Sequence, residues 1–216
     1  MSKEKEILSS KFLLNSYYKF FFYRKSVKEI DFSKRFSSWD LCYNYFNETK
    51  NIDINLAGLH IGFYLASWGM FRGSSELLNS GINIYNDLAE LVINKKNDGF
   101  IEQYNSIEKF LQDNNISSTQ TLVTKIMLGV YANTPAVDNY FNKTAKKYCI
   151  GIYERDNSFD VLKKIEQIFN TKIDNNKSIE EFIEEDLPKS DLSKFKILDG
   201  MFFESRSVIT LFKKRW

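Results

Sequence analysis

The sequence predicts an all-α protein. Apolar residues recur with a period near 3.6 along most of the chain, strand-like alternation is weak, and only two prolines interrupt 216 residues. With 43% apolar and 16% aromatic residues there is ample core material, which argues against disorder. The expectation is a globular multi-helix domain of about nine to ten helices, read as a single domain over 1–216. The Asn114–Ser118 turn offers the likeliest hinge, dividing the chain into lobes 1–114 and 115–216 with a cleft between them.

The elements follow in order. The polar start MSKEKEILSS is no signal peptide, and the aromatic run Phe12 to Tyr23, interrupted by Asn15 and Lys19, reads as a core helix over 10–29. Ser38 is the start signal for a helix over 38–48. The next stretch, 55–79, is apolar nearly all round, as a central helix is. Its run Leu56–Phe71 is shorter than the roughly 20 residues of a membrane span, so no membrane role is expected. Helices over 82–95 and 99–113 lead to Asn114-Asn115, residues suited to the left-handed conformations of helix ends. An apolar helix over 119–133 stops at Thr134-Pro135, and a helix over 136–148 opens with a single acid, Asp138. Ser158 starts 158–171; Ser178, with Glu181 three residues on, forms a capping box for 178–187; and 193–212 closes the series.

Composition limits the chemistry. A net charge of +2 leaves any nucleic-acid affinity to local clusters of lysine and arginine. Cys42 and Cys149 sit in no CxxC or Cys/His spacing and read as reduced core thiols of a cytoplasmic protein. A single histidine, His60, argues against a zinc site or a Ser-His-Asp triad and reads as a hydrogen-bonded core residue.

Within 55–79, Gly58, Gly62, Gly69 and Gly73 fall in a sector of roughly 60° if the helix is continuous. Each glycine costs about 1 kcal/mol against alanine, so the stripe implies close approach by a helix, a backbone or a ligand. Tyr64, Trp68, Arg72 and Ser75 adjoin it. Arg72 could reach an anion or pair with Glu76 one turn later.

The segment Thr121 to Asp138, with the motif Ala136-Val137-Asp138-Asn139-Tyr140-Phe141 at its end and just beyond, resembles, without a gap, the stretch leading to the catalytic acid of helix-hairpin-helix base-excision DNA glycosylases. The resemblance implies a catalytic role for Asp138, which would stabilise the positive charge that develops on the sugar as an N-glycosidic bond breaks. It implies DNA as partner, a base flipped into a pocket with aromatic walls, and damaged or modified bases as substrates, in repair or in defence against phage DNA. Tyr64, Trp68, Tyr131 and Tyr140, with Arg72, are the candidates for that pocket. Ser117, Ser118, Thr119 and Gln120 occupy the hairpin position, and Lys143, Lys146 and Lys147 could meet phosphates, as could Arg206, Lys213, Lys214 and Arg215 near the C-terminal end.

Departures from the pattern narrow the activity. Where the family's hairpin carries Gly-x-Gly, this chain reads Ile116-Ser117-Ser118-Thr119. Members that also cleave the strand have a lysine at the position Gln120 occupies here, so no Schiff-base lyase step is expected. The family's iron-sulfur cysteines are absent, and no metal or cofactor is expected. Without the resemblance, Asp138 is an acid at a helix start, where the dipole favours it by about 0.3–1 kcal/mol. The lysines are then a solvated helix face. Two other functions stay open: a non-enzymatic binding or assembly module built on the glycine stripe, with Glu180, Glu181, Glu184, Glu185 and Asp186 as a partner surface, and an enzyme acting on nucleotides or small ligands through Arg72, His60 and Ser74-Ser75.

Overall fold

A computed structural model describes residues 9–25, 35–72, 75–173 and 176–213, and over these residues the protein is all-α. In chain order the helices are α1 (Ser10–Lys25), α2 (Arg35–Glu48), α3 (Ile54–Ser67), α4 (Ser75–Asn79), α5 (Ile82–Asn94), α6 (Phe100–Asp113), α7 (Gln120–Val130), α8 (Asn139–Ala145), α9 (Ser158–Phe169), α10 (Ile179–Glu181) and α11 (Lys194–Lys213). Short 3-10 turns cover Met70–Arg72 and Lys146–Tyr148, and a π-helical turn, Phe182–Asp186, follows α10. The only pairing of strand type among the described residues is an isolated bridge between Lys172 and Ser178. No helix among them is long and apolar enough to cross a membrane.

The chain divides into two compact units. A central unit takes 26–136; a terminal unit takes 1–25 together with 137–216. The division therefore falls after Lys25 and at Ala136/Val137, whereas the turn 114–118 lies inside the central unit. That turn is held from both sides: α6 packs on α7, Ile116 is buried, and its amide donates to Leu111 O at 2.8 Å.

In the central unit α7 is the core helix. Every residue from Leu122 to Val130 is buried, and α7 packs against α2, α3 and α6. Its last carbonyls, which a helix end leaves without amide partners, are met by α2 side chains. Trp39 Nε1 donates to Leu128 O and Asn47 Nδ2 to Val130 O, both at 2.8 Å. Tyr131 donates its hydroxyl to Val92 O at 2.8 Å, tying the end of α7 to α5. Tyr131→Phe should cost about 1 kcal/mol, read as a lower urea midpoint with unchanged slope.

The expected helix over 55–79 is broken. α3 ends at Ser67, Trp68 caps it, and Gly69 follows with φ 74°, a left-handed conformation that stops the helix and disrupts the glycine stripe. The two glycines inside α3 face α5. A β-carbon at Gly58 would meet the Asn86 amide nitrogen at 3.0 Å, and one at Gly62 would touch the Tyr85 ring at 3.6 Å. Gly58 and Gly62 are thus packed within the unit. Gly73 and Ser74 lie outside the described residues.

The terminal unit is organised by α11, which packs on α1 and α8. Phe202 meets Phe141 at 5.0 Å and stacks on Tyr148 at 5.7 Å, and the Thr144 hydroxyl donates to Phe202 O. The expected capping box is formed: Glu181 N donates to Ser178 Oγ at 3.1 Å, and Ser178 N to Glu181 Oε2 at 2.6 Å. The Ser178 amide and hydroxyl, with Lys172, hold the Glu181 carboxyl down to about 2. Of the two cysteines Cys42 is buried, but Cys149 is exposed at a left-handed position (φ 61°) and is no core thiol.

Candidate active site around Asp138

The residues after α7 turn within the central unit before the chain passes to the terminal one at Val137. Ala132 takes φ 50°, its amide still donating to Met127 O; Asn133 donates to Gln103 Oε1 at 2.6 Å; and Thr134, Pro135, Ala136 and Val137 are all buried. Asp138 follows as the N-cap of α8 with an extended backbone (φ −97°, ψ 178°). It stands just before the first helical turn, which begins at Asn139, a slightly later start than the expected 136. Its Oδ1 accepts from Tyr140 N at 2.8 Å and Phe141 N at 2.9 Å. Two amides from one helix start set the carboxylate's orientation, and the half-buried position keeps it within reach of solvent.

The terminal unit, which holds this acid, carries aromatic rings interleaved with cations. Tyr140 is 39% exposed, lies edge-on to Phe203 at 5.6 Å, and has Lys143 Nζ at 5.9 Å. Further along, Tyr153 is flanked by Lys146 at 5.2 Å, Lys164 at 5.1 Å and Arg155 at 5.3 Å, with Lys164 also paired to Asp156. Lys143, Lys146 and Arg155 are exposed. Sequence reasoning missed Tyr153 and Arg155, although a tyrosine two residues from an arginine in a loop rich in charge is a legible signal. Sequence spacing could not show that Lys146 and Lys164 converge on the same ring.

Several sequence-predicted site residues have other duties. Tyr64 is fully buried beneath Gly129, packs edge-on near Trp68 at 6.5 Å, and belongs to the core of the central unit. Tyr131 spends its hydroxyl on Val92, and burial, with Asp98 adding to it, pushes that phenol upward. Trp68 is half-buried with Lys125 Nζ 5.0 Å from its ring. The side chain of Arg72 lies outside the described residues, as do those of Arg206, Lys213, Lys214 and Arg215. Tyr64, Trp68 and Tyr131 belong to the central unit, Asp138, Tyr140, Lys143, Lys146 and Lys147 to the terminal one.

In the turn before α7, Asn115 is left-handed (φ 57°), Ser117 is exposed, and Ser118 accepts from Gln112 Nε2 at 3.1 Å. Thr119 is the N-cap of α7, its hydroxyl accepting from Leu122 N at 3.2 Å. Gln120 is buried, 4% exposed, and so is not placed for the surface DNA contact expected of it.

His60 is not the hydrogen-bonded core residue expected. It is half-buried, stacks on Tyr45 at 4.3 Å with 20° between the rings, and helps line a groove of about 440 Å³ with residues of α2. Partial burial lowers its pKa, so the unfolded chain takes up a proton first as pH falls. The stabilisation is complete above the ordinary histidine value near 6.5 and is lost as pH falls through it toward the lower folded value. The drop in Tm from about pH 7.5 to about pH 5.5 should therefore be smaller in His60→Gln than in wild type.

Among the described residues no three of His, Cys, Asp and Glu are grouped to hold a metal ion. Comparison with protein-family models, curated proteins and solved structures finds no match.

Proposed function

We propose that this chain is a monofunctional DNA glycosylase-like hydrolase that releases a damaged or modified base, with Asp138 as its catalytic carboxylate. The observation that carries the reading is the presentation of Asp138: an oriented carboxylate at the N-cap of α8, following in sequence a buried apolar helix and a Thr-Pro turn, in the order the resemblance implies. The cation-flanked rings of Tyr140 and Tyr153 in the same unit add support as a surface for DNA.

Hydrolysis breaks the bond between sugar C1′ and the base nitrogen. Positive charge collects on the sugar, and a preoriented carboxylate stabilises it more than it stabilises the neutral ground state. Water adds its hydroxyl to C1′, and its proton goes to the departing base. Gln120 supplies no amine for a Schiff base, so the product is an abasic site in an intact strand. Repair of damage and removal of modified bases from phage DNA are the two settings in which this product is useful.

DNA binding tests the supporting surface. Changing Lys143, Lys146 and Arg155 together to glutamine should weaken binding similarly across sequences and lower the slope of log K against log salt by about one for each phosphate that is no longer neutralised. Fluorescence anisotropy over a salt series reads both; an unchanged slope would remove these residues from the DNA surface. The glycine-stripe module draws less support, because α5 packs on Gly58 and Gly62 of that stripe.

A further inference from the structure

The geometry points to a second binding surface, on α2 and α3 of the central unit, for an arginine-bearing amphipathic segment of a partner protein. The groove beside His60 is lined by Asp40, Asn44 and Glu48 along α2, with the Tyr45–His60 ring pair at its side. Of these, Glu48 is an exposed carboxylate at the end of α2, beside the ring pair's side of the groove. Tyr45 is held in place by its hydroxyl, which donates to Asp53 O at 3.1 Å and accepts from Asp53 N at 3.0 Å. A guanidinium suits such a site: its plane stacks on an aromatic ring while its fork meets a carboxylate. At about 440 Å³ the groove exceeds what one side chain fills, and so accepts part of the segment carrying it.

The neighbouring surface is apolar. Leu56, Leu59 and Phe63 are 50%, 54% and 45% exposed, and with His60 they fall within a sector of roughly 100° on α3. α3 contains no charged residue. An apolar ridge beside an acidic, aromatic groove is complementary to a helix with leucines on one face and arginines along its border. The groove's carboxylates repel phosphate, so nucleic acid and anionic lipid fit this face poorly. Binding on this face does not depend on the glycosylase reading.

The test titrates the full chain into a fluorescein-labelled helical peptide of leucine and arginine with that pattern, followed by anisotropy. Saturable binding is expected, weakened about tenfold or more by Glu48→Lys and likewise by Leu59→Asp. Glu166→Lys, an equal charge change on α9 in the terminal unit, should leave affinity within about twofold of wild type. Circular dichroism and Tm identify any variant that has lost its fold; Glu48→Gln and Leu59→Ser then replace it, with the same direction of loss expected. Absence of binding, equal loss in Glu166→Lys, or indifference to Leu59→Asp overturns the assignment. Sedimentation showing a dimer that Leu59→Asp dissolves would overturn it too, giving the ridge to a second copy of this chain.

Discussion

Asp138→Asn is expected to lower base release by about 10²-fold or more while Tm stays within a degree or two of wild type. Asparagine caps a helix about as well as aspartate, so it keeps the bonds from the Tyr140 and Phe141 amides and removes only the charge that the sugar cation requires. Asp138→Ala should lose both, with about 1 kcal/mol of stability and a Tm drop of roughly 2–4 °C. The pair separates the two roles one carboxylate can hold. A capping acid shows a loss in the alanine variant alone; a catalytic one shows the larger loss of activity already in asparagine. Full base release by Asp138→Asn would leave Asp138 as a helix cap.

A large effect on stability is expected from Gly129→Ala. A β-carbon there would fall 2.7 Å from Cδ1 of Tyr64 and closer still to Cε1, where no ordinary contact exists. Tyr64 is fully buried on α3, so its ring cannot swing into solvent; α3 and α7 would have to separate at the centre of the core. Overpacking of this kind costs about 1–3 kcal/mol, and a rigid ring over a helix backbone belongs in the upper half of that range. Gly62→Ala, against the Tyr85 ring at 3.6 Å, should be far milder. Urea unfolding of both variants checks the contrast; equal midpoints would mean that Tyr64 does not pack on Gly129.

Fold class and most elements were legible because helix periodicity, caps and turns are local signals. The Ser178–Glu181 box, the Asn114–Asn115 turn and the start of α9, where the cap is Asn157 rather than Ser158, are each set by a few adjacent residues. What the sequence obscured depended on partners distant in the chain. A run of apolar residues through Phe71 concealed the end of α3, because Gly69 serves equally as a seam residue and as a left-handed stop; only its φ of 74° decides. Tyr64 and Tyr131 carried the same signal as a pocket wall, yet one lies beneath Gly129 and the other is bound to Val92. The union of α1 with 137–216 in one unit rests on Phe20 beneath Gly200 and on the hydrophobic face of α11, a pairing no local pattern announces.

The candidate site divides in the same way. Asp138 was found because an acid after Thr-Pro at a helix start is a local feature, and its cap geometry bears out that start. Tyr153 was missed because its cations arrive from α9 and from the turn after α8. Gln120 looked available by its place at a helix start, but α7 is buried on every side.

The most direct measurement incubates the wild-type chain with duplex DNAs carrying a panel of alkylated, oxidised, deaminated and phage-type modified bases, and detects free base by mass spectrometry alongside strand integrity. Release of at least one base, leaving an abasic site in an uncut strand and no borohydride-trapped protein adduct, is the predicted result. No base released from any substrate by the folded protein, or a trapped Schiff-base adduct with strand cleavage, would contradict it.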